Sequence, residues 1–395
     1  MKVMVCHPGT QHAGRLAAAL QHEAMLGRFF TGFRVRPDSM LGRRLRLSGL
    51  RALDESLTDC TTQIRSPELF AKLAQCLGSR GERLMRIRNG WFQRLIPRAA
   101  IASSDAVIGF DTASWVLAKR AREFRKPFVL DRAAVHRSTR ASIRAEFRHS
   151  GLGQEASESR PGDIQDEIET EEMARSTRIV VASRFSERSV VNAGFSAGKV
   201  TVIPYGVNWS WFAEGGDRDG AGGKMVFLFV GILKNEKGVG VMVEAWKQLR
   251  APDAELWLAG GGDDAVIEAA RAVPGVRVLG KLGPDELRKA YRDASVFVFP
   301  TFYDGFGMVL LEAMSSGLPV IATPNCAAPD LIQNGAAGVV FPAGDPAALC
   351  SAMADACANR AAWAGRGMAA REIAKAHTWE AYGKRWATLL REVVR

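Results

Sequence analysis

Short runs rich in β-branched and aromatic residues alternate with helix-length stretches along nearly the whole chain, and the alternation runs through twice. Residues 2–6 read as a first strand, followed by an apolar-periodic helix over about 13–26. Runs at 28–33, 105–109, 127–131, 178–182 and 200–203 continue the series, with helical stretches such as 113–124 and 184–193 between them. After Pro204 the pattern restarts, with strands expected at 225–230, 255–258, 276–279, 296–299, 320–322 and 338–341. Strand–helix alternation gives parallel sheets covered by helices on both faces. The spacing therefore predicts two doubly wound α/β domains, residues 1–205 and 206–377. Residues 215–223, with five glycines and two aspartates, cannot bury a core and read as a linker. Residues 151–163 read as a mobile loop, and 164–175 as a helix closing the same acidic stretch. The segment 42–90 is the least legible, with helices expected near 67–77 and 80–88.

No uncharged apolar run approaches the eighteen or so residues that a membrane-spanning helix needs; the best, 225–233 and 296–300, suit buried strands. The opening residues are too short an apolar run for a secretory leader. The six cysteines (6, 60, 76, 326, 350 and 357) are scattered without a C-x-x-C pair. The expectation is a cytoplasmic chain with reduced thiols. Its net charge of +11 is uneven: residues 1–205 hold 33 Lys+Arg against 21 Asp+Glu, and residues 206–395 hold 20 against 21. Arg34, Arg36, Arg43, Arg44, Arg46 and Arg51 form one basic stretch; Arg80, Arg83, Arg86, Arg88, Arg94 and Arg98 form another. The second also carries Leu84, Ile87, Trp91, Phe92, Leu95 and Ile96, the mixture of basic and large apolar residues found in interfacial helices. A polyanion or an anionic membrane surface is the expected partner of this half. Nucleic acid is not, since no helix-turn-helix, zinc finger or aromatic RNA-binding signature accompanies the charge.

The segment 296–322 carries the clearest chemistry. A buried strand ends at Pro300, a loop carries Asp304, and a helix begins near Gly307 and stops at Gly317. Gly305 and Gly307 remove side chains at the turn, so the amides of Phe306, Gly307 and Met308 can approach an anion at a helix N-terminus. Asp304 precedes the helix and Glu312 lies one to two turns inside it, so two carboxylates flank the turn and can accept hydrogen bonds from hydroxyl groups. Taken singly, Asp304 could equally be a helix cap. The histidines form no H-x-x-x-H or H-E-x-x-H, and no D-x-D ends a strand, so no metal site is expected. No cofactor is expected either, since G-x-S-x-G, kinase and dinucleotide signatures are all missing.

Residues 296–322 resemble the signature of glycosyltransferase family 4, the retaining enzymes of the GT-B fold in which two Rossmann-like domains face a central cleft. Asp304 and Glu312 have the family's spacing, with Asp standing where Glu is usual. Residues 229–238 are similar to the family's strand–loop motif ending in Lys-Gly, with Lys237 at the diphosphate-binding lysine and Ile232 where Arg is common; Lys234 lies on the same loop. Residues 256–263, with Gly261, and 276–282, with Leu282, resemble the stretches beside the donor and the nucleotide base. Upstream the likeness is weaker. Gly9 takes the place of a glycine facing the donor phosphate and acceptor, and His136 follows a strand where many members have a histidine near the donor sugar; His7 and His12 are secondary candidates.

The resemblance implies a hexosyltransferase that moves a sugar from a UDP-, GDP- or ADP-sugar to a glycan, lipid-linked or protein acceptor, with retention and without metal. It implies that Glu312 binds the ribose, Asp304 the donor sugar, and Lys237 with the turn amides the leaving diphosphate. It also implies that the last helix, 378–395, packs back on the first domain. The rival reading is a non-catalytic protein of the same fold, with a degenerate donor site and a basic half that binds a polyanion or membrane. A phosphorylase using inorganic phosphate in place of the diphosphate is a third.

Overall fold

The computed structural model describes residues 1–9, 12–34, 54–76, 81–148, 164–213 and 223–395. The glycine-rich residues 215–222, the loop 151–163 and the arginines 36, 43, 44, 46, 51 and 80 lie outside the described residues. The first sheet has seven strands: β1 (Val3–His7), β2 (Leu26–Thr31), β3 (Thr61–Gln63), β4 (Ala106–Phe110), β5 (Phe128–Arg132), β6 (Arg178–Val181) and β7 (Val200–Val202). Their order is β3-β2-β1-β4-β5-β6-β7, and every pair is parallel. β1, β4 and β5 are buried along their whole lengths, which is why they read as continuous apolar runs rather than alternating ones.

The second sheet has six strands, β8 (Met225–Val230), β9 (Ala254–Ala259), β10 (Val276–Gly280), β11 (Val296–Phe299), β12 (Val320–Ala322) and β13 (Gly338–Val340), again all parallel, in the order β10-β9-β8-β11-β12-β13. Two doubly wound sheets are therefore present, as the alternation predicts. Three expectations need correction. The second strand begins at Leu26 rather than at 28 and ends at Thr31. β3 has no sequence signal, because Thr61-Thr62-Gln63 is a half-buried edge strand of polar residues. The helix expected at 80–88 runs Glu82–Leu95, and a further helix, Arg137–Glu146, carries too little apolar periodicity to be read.

The chain crosses between the sheets twice, and the crossings lie side by side. Val207 bridges to Thr378 and donates its amide to His377 O at 2.9 Å. The final helix, Trp379–Val393, packs on helix Ala13–His22, with Gly383 set against Ala19 and Tyr382, Trp386, Leu389 and Leu390 buried. The loops that leave the carboxyl ends of both sets of strands meet between the sheets, the place where parallel α/β sheets bind ligands. No helix among the described residues is long and apolar enough to cross a membrane.

Candidate functional site

The loops after β8 and β11 meet over a glycine. Gly238 has φ +73°, and an added Cβ would collide with the carbonyl oxygen of Pro300. Both constraints demand glycine. The contact is fixed by Phe302, which donates its amide to the Glu236 carbonyl at 2.9 Å. Lys237 is thereby placed opposite Asp304, 67 residues away in sequence, and its Nζ donates to Asp304 Oδ2 at 2.7 Å. The other carboxylate oxygen of Asp304 accepts the Phe306 amide at 3.0 Å, and its own amide donates to Asn325 O at 2.9 Å. Asp304 thus closes a local turn that orients its carboxylate. Of the three turn amides, that of Phe306 is committed to Asp304, which corrects the expectation that all three face an anion. Gly307, at φ +84°, precedes helix Met308–Ser315, so the Gly307 and Met308 amides open that helix toward the cleft.

Glu312, one turn further on, accepts a hydrogen bond at 2.9 Å from the hydroxyl of Tyr291, which is fully buried. Burial raises the Glu312 pKa, and the Tyr291 hydroxyl pulls it back down. On the neighbouring strands, Gly261 leaves room for the Lys281 side chain, and Leu282 is half-buried just beyond β10. Lys234 is exposed, as is Ile232 at 55%; the loop's hydrogen bond to Asp304 comes from Lys237.

The first domain reaches directly into this cradle. The Gly305 carbonyl accepts the hydroxyls of Ser183 (2.6 Å) and Ser186 (2.9 Å). An added Cβ on Gly305 would strike the Ala133 carbonyl of the loop after β5. Arg144 pairs with Glu236, the neighbour of Lys237, and Tyr303 donates its hydroxyl to the same carboxylate. Phe306 lies edge-on to Tyr205 at 5.2 Å, Tyr205 lies on His12 at 4.4 Å, and His12 Nε2 meets Asp131 Oδ2 at 2.8 Å.

His136 sits three residues beyond Ala133 and caps helix Arg137–Glu146, its Nδ1 accepting the Ser138 amide at 3.2 Å. Burial lowers its pKa to about 4, so at neutral pH it is uncharged with its proton on Nε2. It cannot act as a base through Nδ1. Gly9 stays within the first domain, donating its amide to His7 Nδ1 at 3.0 Å and accepting from Arg34 at 3.0 Å. His7 is buried and its pKa falls to about 3. Arg34, expected on a basic surface, is only 5% exposed and belongs to this loop instead.

The structure therefore brings together Lys237, Asp304, Gly305, Phe306, Gly307 and Met308, with Glu312, Gly261 and Leu282 on the same edge of the second sheet. It leaves Lys234 outside that contact and Gly9 on the opposite wall. Sequence reasoning missed Ser183, Ser186, Tyr291, Glu236 and Arg144, whose partners are remote in sequence and leave no local pattern. Among the described residues no three His, Cys, Asp or Glu side chains could hold a metal.

Comparison with known proteins places this geometry. The family described as Glycosyl transferases group 1 matches residues 224–359. An uncharacterized glycosyltransferase of Methanocaldococcus jannaschii is 35% identical over 161 residues, which are 36% of this chain and 41% of that protein. The chain thus spans less than half the length of this curated relative in the match. Among solved structures, sucrose-phosphate synthase from Thermosynechococcus elongatus superposes with a TM-score of 0.72 at 19% identity, covering 100% of this chain and 99% of that one. The Anabaena protein HepE in complex with UDP gives 0.68 at 16%, covering 99% and 100%. At such identities the structural likeness shows the fold alone, and that fold is GT-B.

Proposed function

We propose, from the match of residues 224–359 to the group 1 glycosyl transferases and from the GT-B fold of the two sheets, that this chain transfers a hexosyl group from a nucleoside-diphosphate sugar to an acceptor hydroxyl with retention of anomeric configuration. The observation that carries the reading is the Lys237–Asp304 contact at the mouth of helix Met308–Ser315. A diphosphate seated there meets one lysine and the Gly307 and Met308 amides, with roughly half a positive charge from the helix N-terminus. Glu312 accepts from the ribose hydroxyls, and Asp304 from the donor sugar.

In the transfer, the bond from the anomeric carbon to the diphosphate oxygen breaks as the acceptor oxygen bonds to the same carbon on the same face. The acceptor proton passes to the departing diphosphate oxygen, whose charge Lys237 and the amides stabilise. The remainder of the catalysis is positioning: Ser183 and Ser186 hold the Gly305 carbonyl, and neutral His136 offers an Nε2–H donor toward the sugar side. Lysine and backbone take the part that a divalent cation would otherwise play. HepE, which shares the fold, is seen with UDP; for this chain the donor is inferred from the Lys237 cradle, and its base is left open.

Proton NMR of the first product formed from a UDP-, GDP- or ADP-sugar, tested against lipid-linked, glycan and protein acceptors, is the direct test. An anomer matching that of the donor is expected; an inverted product would remove the retaining mechanism, and no turnover with any donor would favour the degenerate-site reading.

A further inference from the structure

Seven of the twelve large apolar residues exposed among the described residues fall on two neighbouring helices of the first domain, Ser66–Cys76 and Glu82–Leu95. Leu69, Phe70 and Leu73 lie on the first, with Leu73 62% and Leu69 55% exposed. Ile87, Trp91 and Leu95, spaced four apart on one stripe of the second, join them. The Phe70 and Trp91 rings meet at 5.9 Å, so the two stripes are one continuous patch.

The second helix is apolar on two sides: Leu84 and Phe92 are buried, while Ile87, Trp91 and Leu95 are exposed. Its inward face spends two amides on the protein: Asn89 donates to Thr112 O at 2.8 Å, and Gln93 Oε1 accepts from Val116 N at 2.7 Å. Its outward face carries isoleucine, tryptophan and leucine. Folding gains nothing from the exposed stripe, because a surface helix normally turns its apolar residues to the core. A contiguous apolar patch with a polar rim marks an interaction surface.

The rim is basic. Arg83 and Arg94 are exposed, Arg86 is half-buried, and Arg65 is exposed at the start of the first helix. Arg83 and Arg86 enter no ion pair among the described residues. The carboxylate of Glu68 is turned inward, where it accepts the Phe33 amide at 2.7 Å. Arg88 of the same second helix approaches Gly9, so the patch adjoins the first-domain wall of the cleft.

We infer that this two-helix face seats the protein on an anionic lipid bilayer, its aromatic and aliphatic side chains entering the headgroup–acyl boundary and its arginines neutralising acidic headgroups. A second copy is the poorer occupant, since a two-fold contact through this face would bring Arg83, Arg86 and Arg94 of both copies together. The seat deepens the transferase reading on its acceptor side, because a membrane-held acceptor would enter beside Gly9. It rests on that reading only for this last step.

The test is co-sedimentation of the full chain with phosphatidylcholine vesicles and with vesicles in which about a third of the lipid is phosphatidylglycerol. Binding is expected to the anionic vesicles only, and to fall steeply as salt rises. Replacing both arginines, Arg83→Gln with Arg86→Gln, should lower the partition coefficient about thirtyfold. Leu73→Ser with Ile87→Ser should lower it on the order of tenfold or more. Nucleoside-diphosphate binding measured without vesicles should be unchanged in both variants, which shows that they fold and separates failure of the seat from failure of the donor site. Wild-type protein remaining in the supernatant with anionic vesicles would overturn the inference. So would equal binding by the variants, or a dimer in light scattering that Leu73→Ser with Ile87→Ser converts to monomer.

Discussion

Asp304 and Lys237 neutralise one another at 2.7 Å, with about a quarter of each side chain exposed (25% and 24%). A diphosphate entering the cradle must therefore offer Lys237 more than Asp304 does, and the helix amides are what tip that exchange. The glycine beneath the pair is equally constrained. Gly238→Ala adds a Cβ at φ +73° and against the Pro300 carbonyl, and should cost about 2 kcal/mol or more. A Tm lowered by several degrees in calorimetry is the expected outcome. At Glu312, burial and the Tyr291 hydroxyl act in opposite directions, so removing the hydroxyl should raise the glutamate further. In the proposed donor site, the carboxylate rather than the protonated acid would accept from both ribose hydroxyls. Tyr291→Phe should accordingly weaken nucleotide binding about five- to tenfold at acidic pH, the worth of one hydrogen bond, and less at alkaline pH. Dissociation constants measured across that range decide it; a parallel offset at every pH would place the effect elsewhere.

At the scale of elements, helix Ile164–Arg175 is the instructive case. Its acidic sequence reads as the edge of a solvated loop, and the helix is where it is expected, yet Glu169 and Glu172 are 4% and 0% exposed. Glu169 pairs with buried Arg132 at 2.7 Å, and Glu172 accepts the amides of Thr112 (2.8 Å) and Ser114 (2.7 Å) after β4. Burial nevertheless raises the Glu172 pKa to about 8 from an ordinary 4.5. With the folded value above the unfolded one, stabilisation is complete below about pH 4.5 and is lost as pH rises through about 8. Wild-type Tm should fall between pH 6 and pH 9 more steeply than that of Glu172→Gln, whose side chain does not titrate. Identical slopes would show that Glu172 ionises normally.

The same helix shows why the sequence is legible in some places and not in others. Strands such as Val296–Phe299 declare themselves because both faces are buried and no polar residue interrupts them. The turn around Asp304 is legible because its glycines, acid and helix are contiguous. The edge strand Thr61–Gln63 has no such run, and helix Arg137–Glu146 has Ile143 as its only large apolar residue. Pairs such as His12 with Asp131, 119 residues apart, and Ser183 with the Gly305 carbonyl, 122 apart, arise only when the sheets are assembled. A lone basic stretch likewise does not reveal that Arg34 turns inward while Arg83 stays outside.

For the whole molecule, the two sheets divide the labour that the charge distribution foreshadows. The first domain carries the basic excess and the exposed apolar helices; the second carries the cradle, and the Gly305 turn is one of the places where they touch. Turnover should survive chelation, because lysine and helix amides face the diphosphate; activity lost with EDTA and restored by Mg²⁺ or Mn²⁺ would expose a missing ligand set. The central claim is that the Lys237 cradle binds a nucleoside diphosphate, and calorimetric titration of UDP, GDP and ADP into wild-type protein and Lys237→Ala tests it most directly. The account predicts one-to-one binding of one of the three, unchanged by EDTA and weakened about ten- to a hundredfold by Lys237→Ala, the loss of a single charge-assisted contact. Binding of none of them, or equal affinity in Lys237→Ala, would contradict it.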